Sequence, residues 1–344
     1  MRTALRAGLG ALAVLAALSV SDLWAVTERS SRRAGFGVSR LTIPVEACDF
    51  IEREGLEGHA FANWDAGSYY AFRFAPKSLP CTTSEGDWNL ENLAEYDRVT
   101  RLVDPFDGYA ERYGIEIAVL MHQSSDTRPL IGDLLENPRW GLAWRDGCAV
   151  VFVRREGPNA DKVRRLAPEG RLPAAPAAGE GTPGGLWPFG EGARRVEAVR
   201  AYRNGSLLAL TSEPAQQVFW DRARALWPGY PEAHNNAGVW LASRGDSAAE
   251  SEFREAVRVA PRYVPARRNL ARWMLGRGDE GGAVHELEAG LLAGESADLC
   301  VDLAELLVAR GDTASIERAR GLVGRALKAR PGHAGARKLA ERLR

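Results

Sequence analysis

Sulfur and histidine are scarce in this chain: its 344 residues hold four cysteines, three methionines and five histidines. Cys48, Cys81, Cys148 and Cys300 lie far apart without a C-x-x-C, which excludes reading a zinc ribbon or a thioredoxin-like motif from spacing. Buried free thiols fit them. In an oxidising compartment one disulfide among the first three is the alternative, and spacing does not choose the pair. His59, His122, His234, His285 and His333 form no metal-like pairs, and there is neither an H-E-x-x-H nor a glycine-rich phosphate loop. Gly35-Phe36-Gly37 lacks the third fingerprint glycine and follows no strand pattern. No cofactor and no metal is expected. Net charge is absent too: 45 Lys plus Arg balance 45 Asp plus Glu, so no global field draws the chain to nucleic acid.

Long apolar runs are confined to the N-terminus. After Met1-Arg2, the stretch Ala7 to Val20 carries no charge, and Leu23 to Val26 is apolar again beyond Asp22. Residues 1–28 therefore read as a signal segment or a membrane anchor, with small residues around Val20 for cleavage. A span of about 20 residues is reached from Ala4 to Val26 by including Arg6 and Asp22, and the uncleaved anchor is preferred. Arg29, Arg32 and Arg33 run against the positive-inside argument. The expected location is membrane-anchored with an extracytoplasmic remainder, or secreted or periplasmic after cleavage.

Residues 42–155 alternate between helical and strand patterns. Pro44 to Gly55 reads as a helix stopped by glycine, Gly58 to Trp64 as a short strand, and a helix comes next with Asp65 as its N-cap. Ser78 to Thr83 reads as a further strand; Leu90 to Val103 and Pro105 to Gly114 read as helices. Ile115 to His122 holds a continuous apolar run, Ile117 to Met121, bounded by polar residues, the pattern of a buried central strand. A helix over Pro129 to Glu136 leads to two β-rich runs joined by Asp146-Gly147, a turn dipeptide that supplies positive φ. The expectation is an α/β sandwich, mostly parallel, closed by an antiparallel hairpin. Glu85 and Asp87 follow one strand, where acid–base groups can sit, but solvated acidic side chains are the commoner case, so no catalytic residue is assigned and enzymatic activity is not expected.

Asn63 with Gly67-Ser68-Tyr69-Tyr70, and the closing Trp144-Arg145-Asp146-Gly147, give residues 20–155 a pattern that resembles the soluble extracytoplasmic region of GT-C-type membrane glycosyltransferase-like proteins. The polytopic membrane portion that bears the catalytic carboxylates of such proteins is absent here. The resemblance implies a docking or accessory domain of a glycosyltransferase system.

Residues 157–192 hold 6 Pro and 8 Gly among 36, above the roughly 25 to 30% of low-complexity chain, and are expected to link the units. A connecting helix is expected over 194–213. From Pro214 to the end the chain repeats itself. Ala237-Gly238, Leu270-Ala271 and Leu303-Ala304 each precede a Gly-Asp pair by the same interval, and Gly245, Gly278 and Gly311 are 33 residues apart. Pro228, Pro261 and Pro331 close second helices; Glu295 stands where another proline would fall, and about three extra residues lie near Thr313 to Ser315. Phe253, Leu287 and Val323 are expected in the seams between helix pairs.

This pattern resembles the tetratricopeptide repeat (TPR) family over 214–344, with three full repeats, a leading half-repeat and a capping helix. The resemblance implies an all-α TPR solenoid whose first helices line a groove, so Asn235, Asn236, Arg268, Asn269 and Arg272 are the candidate binding residues. Two arginines and three asparagines suit an acidic peptide or a carboxylate terminus, with Asp302 and Glu305 opposing. Trp240 and Trp273 are expected to pack between helices. The functional expectation is a TPR adaptor that binds a protein partner; the alternative is the glycosyltransferase-associated role.

Overall fold

The computed structural model describes residues 41–78, 90–168, 191–210 and 216–343. The chain divides into two compact units, Met1–Arg222 and Ala223–Arg344. The apolar N-terminal segment, the strand expected at 78–83 beyond Ser78, Cys81, Glu85 and Asp87 lie outside the described residues. Among the described residues no helix is long and apolar enough to cross a membrane.

The first unit is built on a four-stranded sheet in the order β1-β2-β4-β3, where β1 is His59–Ala62, β2 Ile115–Met121, β3 Trp140–Arg145 and β4 Ala149–Arg154. Around it run α1 (Val45–Glu54), α2 (Trp64–Phe74), α3 (Leu90–Thr100), α4 (Phe106–Tyr113) and α5 (Arg128–Glu136). Side chains of a strand alternate between faces. Ile117, Val119 and Met121 accordingly join a core with Phe50, Ile51 and Tyr70, while Ala118 and Leu120 join another with Phe106, Ile131 and Phe152. With helices on both faces, β2 is buried from Ile117 to Met121, which is why that stretch is apolar; Glu116, near its start, is half-buried. Gly55 and Gly114 end α1 and α4 in the left-handed conformation, as their positions foretell.

Three expectations need correction. The sheet is not mostly parallel: among the described strands only β1 and β2 run parallel, and β2–β4 and β4–β3 are antiparallel. The hairpin inserts its second strand beside β2 and leaves β3 at the edge. Nor does Gly147 take positive φ; among the described residues of this unit the positive-φ glycines are Gly55, Gly58, Gly114 and Gly157. The turn is held instead by the Asp146 carboxylate, whose Oδ1 accepts from the amides of Cys148 at 2.6 Å and Ala149 at 2.8 Å. Gly147 is needed for a close approach, since a Cβ there would lie 2.7 Å from Arg200 Cα. Finally, the chain does not become a linker at residue 157: a 3₁₀ turn at Gly157–Asn159 and α6 (Ala160–Leu166) come first, and Val163 is buried in the sheet's core. The connecting helix, α7, runs over Glu191–Leu208.

The second unit is helical. After α8 (Gln216–Leu226) come the pairs α9 (Pro231–Ser243) with α10 (Ala248–Val259), α11 (Val264–Gly276) with α12 (Glu280–Ala293), and α13 (Ala297–Arg310) with α14 (Thr313–Ala329), then α15 (Ala334–Arg342). Gly245, Gly278 and Gly311 all take positive φ at the turn inside a pair. The aspartate after each bonds the start of the next helix: Asp246 accepts from the Ala248 amide, Asp279 from Gly282 and Asp312 from Ser315, at 2.8–2.9 Å. The glycine reverses the chain; Asp279 and Asp312 N-cap their helices, while in the first pair Ser247 is the N-cap and Asp246 bonds from the residue before it. Phe253, Leu287 and Val323 are buried, as expected. The extra residues of the third repeat lengthen α14 to 17 residues, against 12 in α10.

Candidate functional site

Of the five residues singled out on the first helices, four are linked to one another and Arg268 stands apart. Asn269 Nδ2 on α11 donates to Asn235 Oδ1 on α9 at 2.9 Å, Asn235 Nδ2 donates to Asn236 Oδ1 at 3.3 Å, and Arg272 Nη1 donates to Asn269 Oδ1 at 3.4 Å. Side-chain amides thus bridge neighbouring repeats, with Asn235 buried, Asn236 and Asn269 half-buried and Arg272 exposed. Arg268 belongs to a different set. Its guanidinium grips Asp302 of α13 in a bidentate pair, with Nη2 to Oδ1 at 2.9 Å and Nε to Oδ2. Asp298, in turn, pairs with Arg330 at 3.0 Å and His333 at 3.2 Å. The acidic residues of the third repeat therefore neutralise Arg268 instead of merely opposing it, and the positive character of the face is carried by Arg272.

A repeated clasp escaped the reading of the sequence. His234 Nε2 bonds the Pro228 carbonyl at 2.8 Å and Nδ1 meets Glu252 Oε2 at 2.7 Å. One repeat later Arg267 Nε donates to the Pro261 carbonyl at 2.8 Å and Nη1 to Glu286 Oε2 at 2.9 Å. A side chain one turn into the first helix ties the proline that ended the preceding helix to a glutamate on the following one. The next equivalent, 33 residues on, is Cys300, buried, with its Sγ 3.9 Å from Glu295 Oε1. The 33-residue phase of 234, 267 and 300 was the available signal; the change of residue type hid it. Trp240 and Trp273 are half-buried, and each lies under an arginine four residues on, Arg244 and Arg277, at 4.8 Å.

Glu252 also bonds Arg224, so it joins α8, α9 and α10. Burial works to raise its carboxyl, but the bonds from His234 and Arg224 prevail and hold it below the ordinary 4.5. A carboxyl whose folded pKa is depressed contributes stability above its unfolded pKa and loses it as pH falls through the folded value. The melting temperature is thus expected to drop between about pH 5.5 and about pH 3.5, and Glu252→Gln to lower it more at the higher pH than at the lower. Equal effects at both would show that the pair adds nothing.

In the first unit, Asp65 does not cap α2; Asn63 holds that position, and Asp65 Oδ2 accepts from Ser124 Oγ at 3.2 Å in the first turn. Asn63 Oδ1 accepts from the Met121 amide at 2.8 Å, tying the ends of β1 and β2. Burial holds the His122 imidazole down at about 4, so it is neutral, bonded to the Asp146 carbonyl at 2.9 Å and to Gln123 at 3.0 Å. Cys48, Cys148 and Cys300 are buried free thiols, so Cys48 and Cys148 form no disulfide; burial pushes Cys48 up to about 12. Among the described residues no three His, Cys, Asp or Glu side chains gather as a metal site.

No family model matches the chain, and no curated protein matches it. Solved structures similar to it include MamA, at 24% identity and TM-score 0.27 over 28% of this chain and 57% of that one. A thermophilic TPR protein of Thermus thermophilus, TTC0263, matches at 18% identity and TM-score 0.36 over 44% of this chain and 89% of that one. Cut9-Hcn1, from an APC/C hetero-tetramer, matches at the same identity and TM-score, over 44% of this chain and 31% of that one. The chain spans little more than half the length of MamA. None of these three matches shows the glycosyltransferase-like resemblance. By its own geometry, with three helix pairs in phase, a glycine–aspartate turn in each and a capping helix, the second unit has the architecture of a tetratricopeptide-type helical repeat.

Proposed function

We propose that the chain is an adaptor whose repeat unit binds an extended segment of a protein partner along the first helices of its pairs, without chemistry of its own. The observation that supports this reading is the amide ladder from Asn236 through the buried Asn235 to Asn269 and Arg272, in which Asn236, Asn269 and Arg272 are reachable from solvent on successive first helices. Side-chain amides offer both a donor and an acceptor, so Asn236 and Asn269 suit the backbone of a bound peptide, and Arg272 suits a carboxylate on it. The apolar run from Ala7 to Val20 supports placing this adaptor at a membrane, with its folded units outside the cytoplasm.

The first test is affinity capture after crosslinking in the source cells, comparing the wild-type chain with Asn236→Ala/Arg272→Ala. Both positions are reachable from solvent, so the pair is expected to change stability by no more than about 1 kcal/mol. Specific partners should fall away about tenfold or more. Unchanged capture by the folded variant would reject this face. Placement is checked separately by protease accessibility in intact and permeabilised cells; protection in intact cells only where an outer barrier is present fits the proposal, and protection by the cytoplasmic membrane overturns it.

A further inference from the structure

A second surface of the repeat unit is open. Between the second helices of the second and third pairs, α12 and α14, lies a cleft of about 560 Å³. Leu303 of α13 and Leu322 of α14, both buried, form its floor; Leu291 is half-buried at its wall, and Leu292 stands 89% exposed. A volume of this size lies within the range that admits several aliphatic groups. A leucine so exposed beside an apolar cleft is hydrophobic surface that no described residue covers.

Ion pairs bracket the opening. Arg318 meets Glu288, and Arg325 meets Glu295 at 2.8 Å; farther along, Arg310 meets Glu280. In each pair the partners are thirty residues apart, with the glutamate at α12 or the turn after it and the arginine at α14 or the end of α13. Glutamates thus line one lip and arginines the other, paired across the opening yet each side chain at least 36% exposed to a partner. Arg318 and Arg325 are two helical turns apart, about 10.5 Å along the axis. Midway between them is Gly321, where a Cβ would have nothing within 4 Å. A glycine inside a helix costs about 1 kcal/mol against alanine, and here no neighbour demands it.

We propose that this cleft docks an amphipathic helix of a protein partner, its aliphatic row entering between the two ion pairs, with basic residues along the acidic lip and acidic residues along the basic lip. The two-turn gap matches anchors at i, i+3 or i+4, and i+7. The opposed lips favour that flanking pattern, because a helix of uniform charge meets like charge on one side. The site is separate from the amide ladder on the first helices.

The probe is a labelled helical peptide of roughly 15 residues with leucines at those positions, lysines on one flank and glutamates on the other, titrated into the full chain by fluorescence anisotropy. Saturable binding is expected, weakened about tenfold or more by Gly321→Leu, which fills the cleft, and by Leu292→Asp. Gly321→Leu should leave the melting temperature unchanged or raise it, since leucine is the better helix former. Asn236→Ala/Arg272→Ala should bind the peptide as wild type does. A peptide with lysines on both flanks should bind more weakly. Absence of saturable binding, equal affinity in both cleft variants, equal affinity of the two peptides, or loss in the Asn236/Arg272 variant would overturn the proposal. So would self-association of the chain that Gly321→Leu abolishes, which would assign the cleft to a second copy.

Discussion

Phe253→Ala is expected to remove about 3–5 kcal/mol from the repeat unit, a large part of the roughly 5–15 kcal/mol that holds a typical domain folded. The ring is 2% exposed on α10 and lies against Gly238 of α9, where a Cβ would come within 2.6 Å of Phe253 Cε1. The helices of the first pair therefore approach at van der Waals limit through a residue without a side chain, and truncating the ring leaves a cavity that neither backbone can close without moving. Repeat arrays distribute their stability over neighbouring interfaces, so the loss should reach beyond the first pair. Urea unfolding of the full chain followed by far-ultraviolet circular dichroism reads it as a lower midpoint for the helical transition. A loss under about 1 kcal/mol would mean that the seam collapses around the missing ring and that the packing is looser than these distances state.

Arg267→Ala should destabilise by a similar amount for a different reason. Arg267 is 7% exposed, and its removal leaves the Glu286 carboxylate and the Pro261 carbonyl without the donor that both share. Breaking one partner of a buried ion pair costs about 3–5 kcal/mol, whereas replacing both partners with apolar residues of similar volume often comes near to neutral. The double substitution Arg267→Met with Glu286→Leu is accordingly expected to be more stable than Arg267→Ala alone. The same denaturation curves give the comparison; a double variant as unstable as the single one would show that the proline carbonyl, and not the charge pair, carries the effect.

How much could be seen beforehand depended on how local the cause was. Gly245, Gly278 and Gly311 announced the repeat because one residue type serves one backbone conformation at each turn, and the following aspartate bonds an amide two or three residues on. The apolar run of β2 likewise marks burial on both faces. The sheet's direction was hidden because it depends on which strand of the hairpin pairs with β2, a choice made between residues such as Leu120 and Val150 that are far apart in sequence. The helix at Ala160–Leu166 was masked by the prolines and glycines after it, since composition averaged over a stretch conceals a single buried valine, Val163. In the candidate site, the residue types were legible but their partners were not: Arg268 and Asp302 differ by 34 positions, one repeat, and only the stacking of α11 on α13 turns that interval into a bidentate pair.

The edge strand β3 has one more consequence. Its register with β4 shifts between Leu142 and Trp144, so the row of backbone groups it would present to a neighbour is broken at its middle. Strand edges that are long and regular recruit strands of other chains, and a bulge twists such an edge out of use. On the proposed adaptor reading, the irregularity at Ala143 keeps this strand edge from competing with the helical surfaces for a partner's backbone.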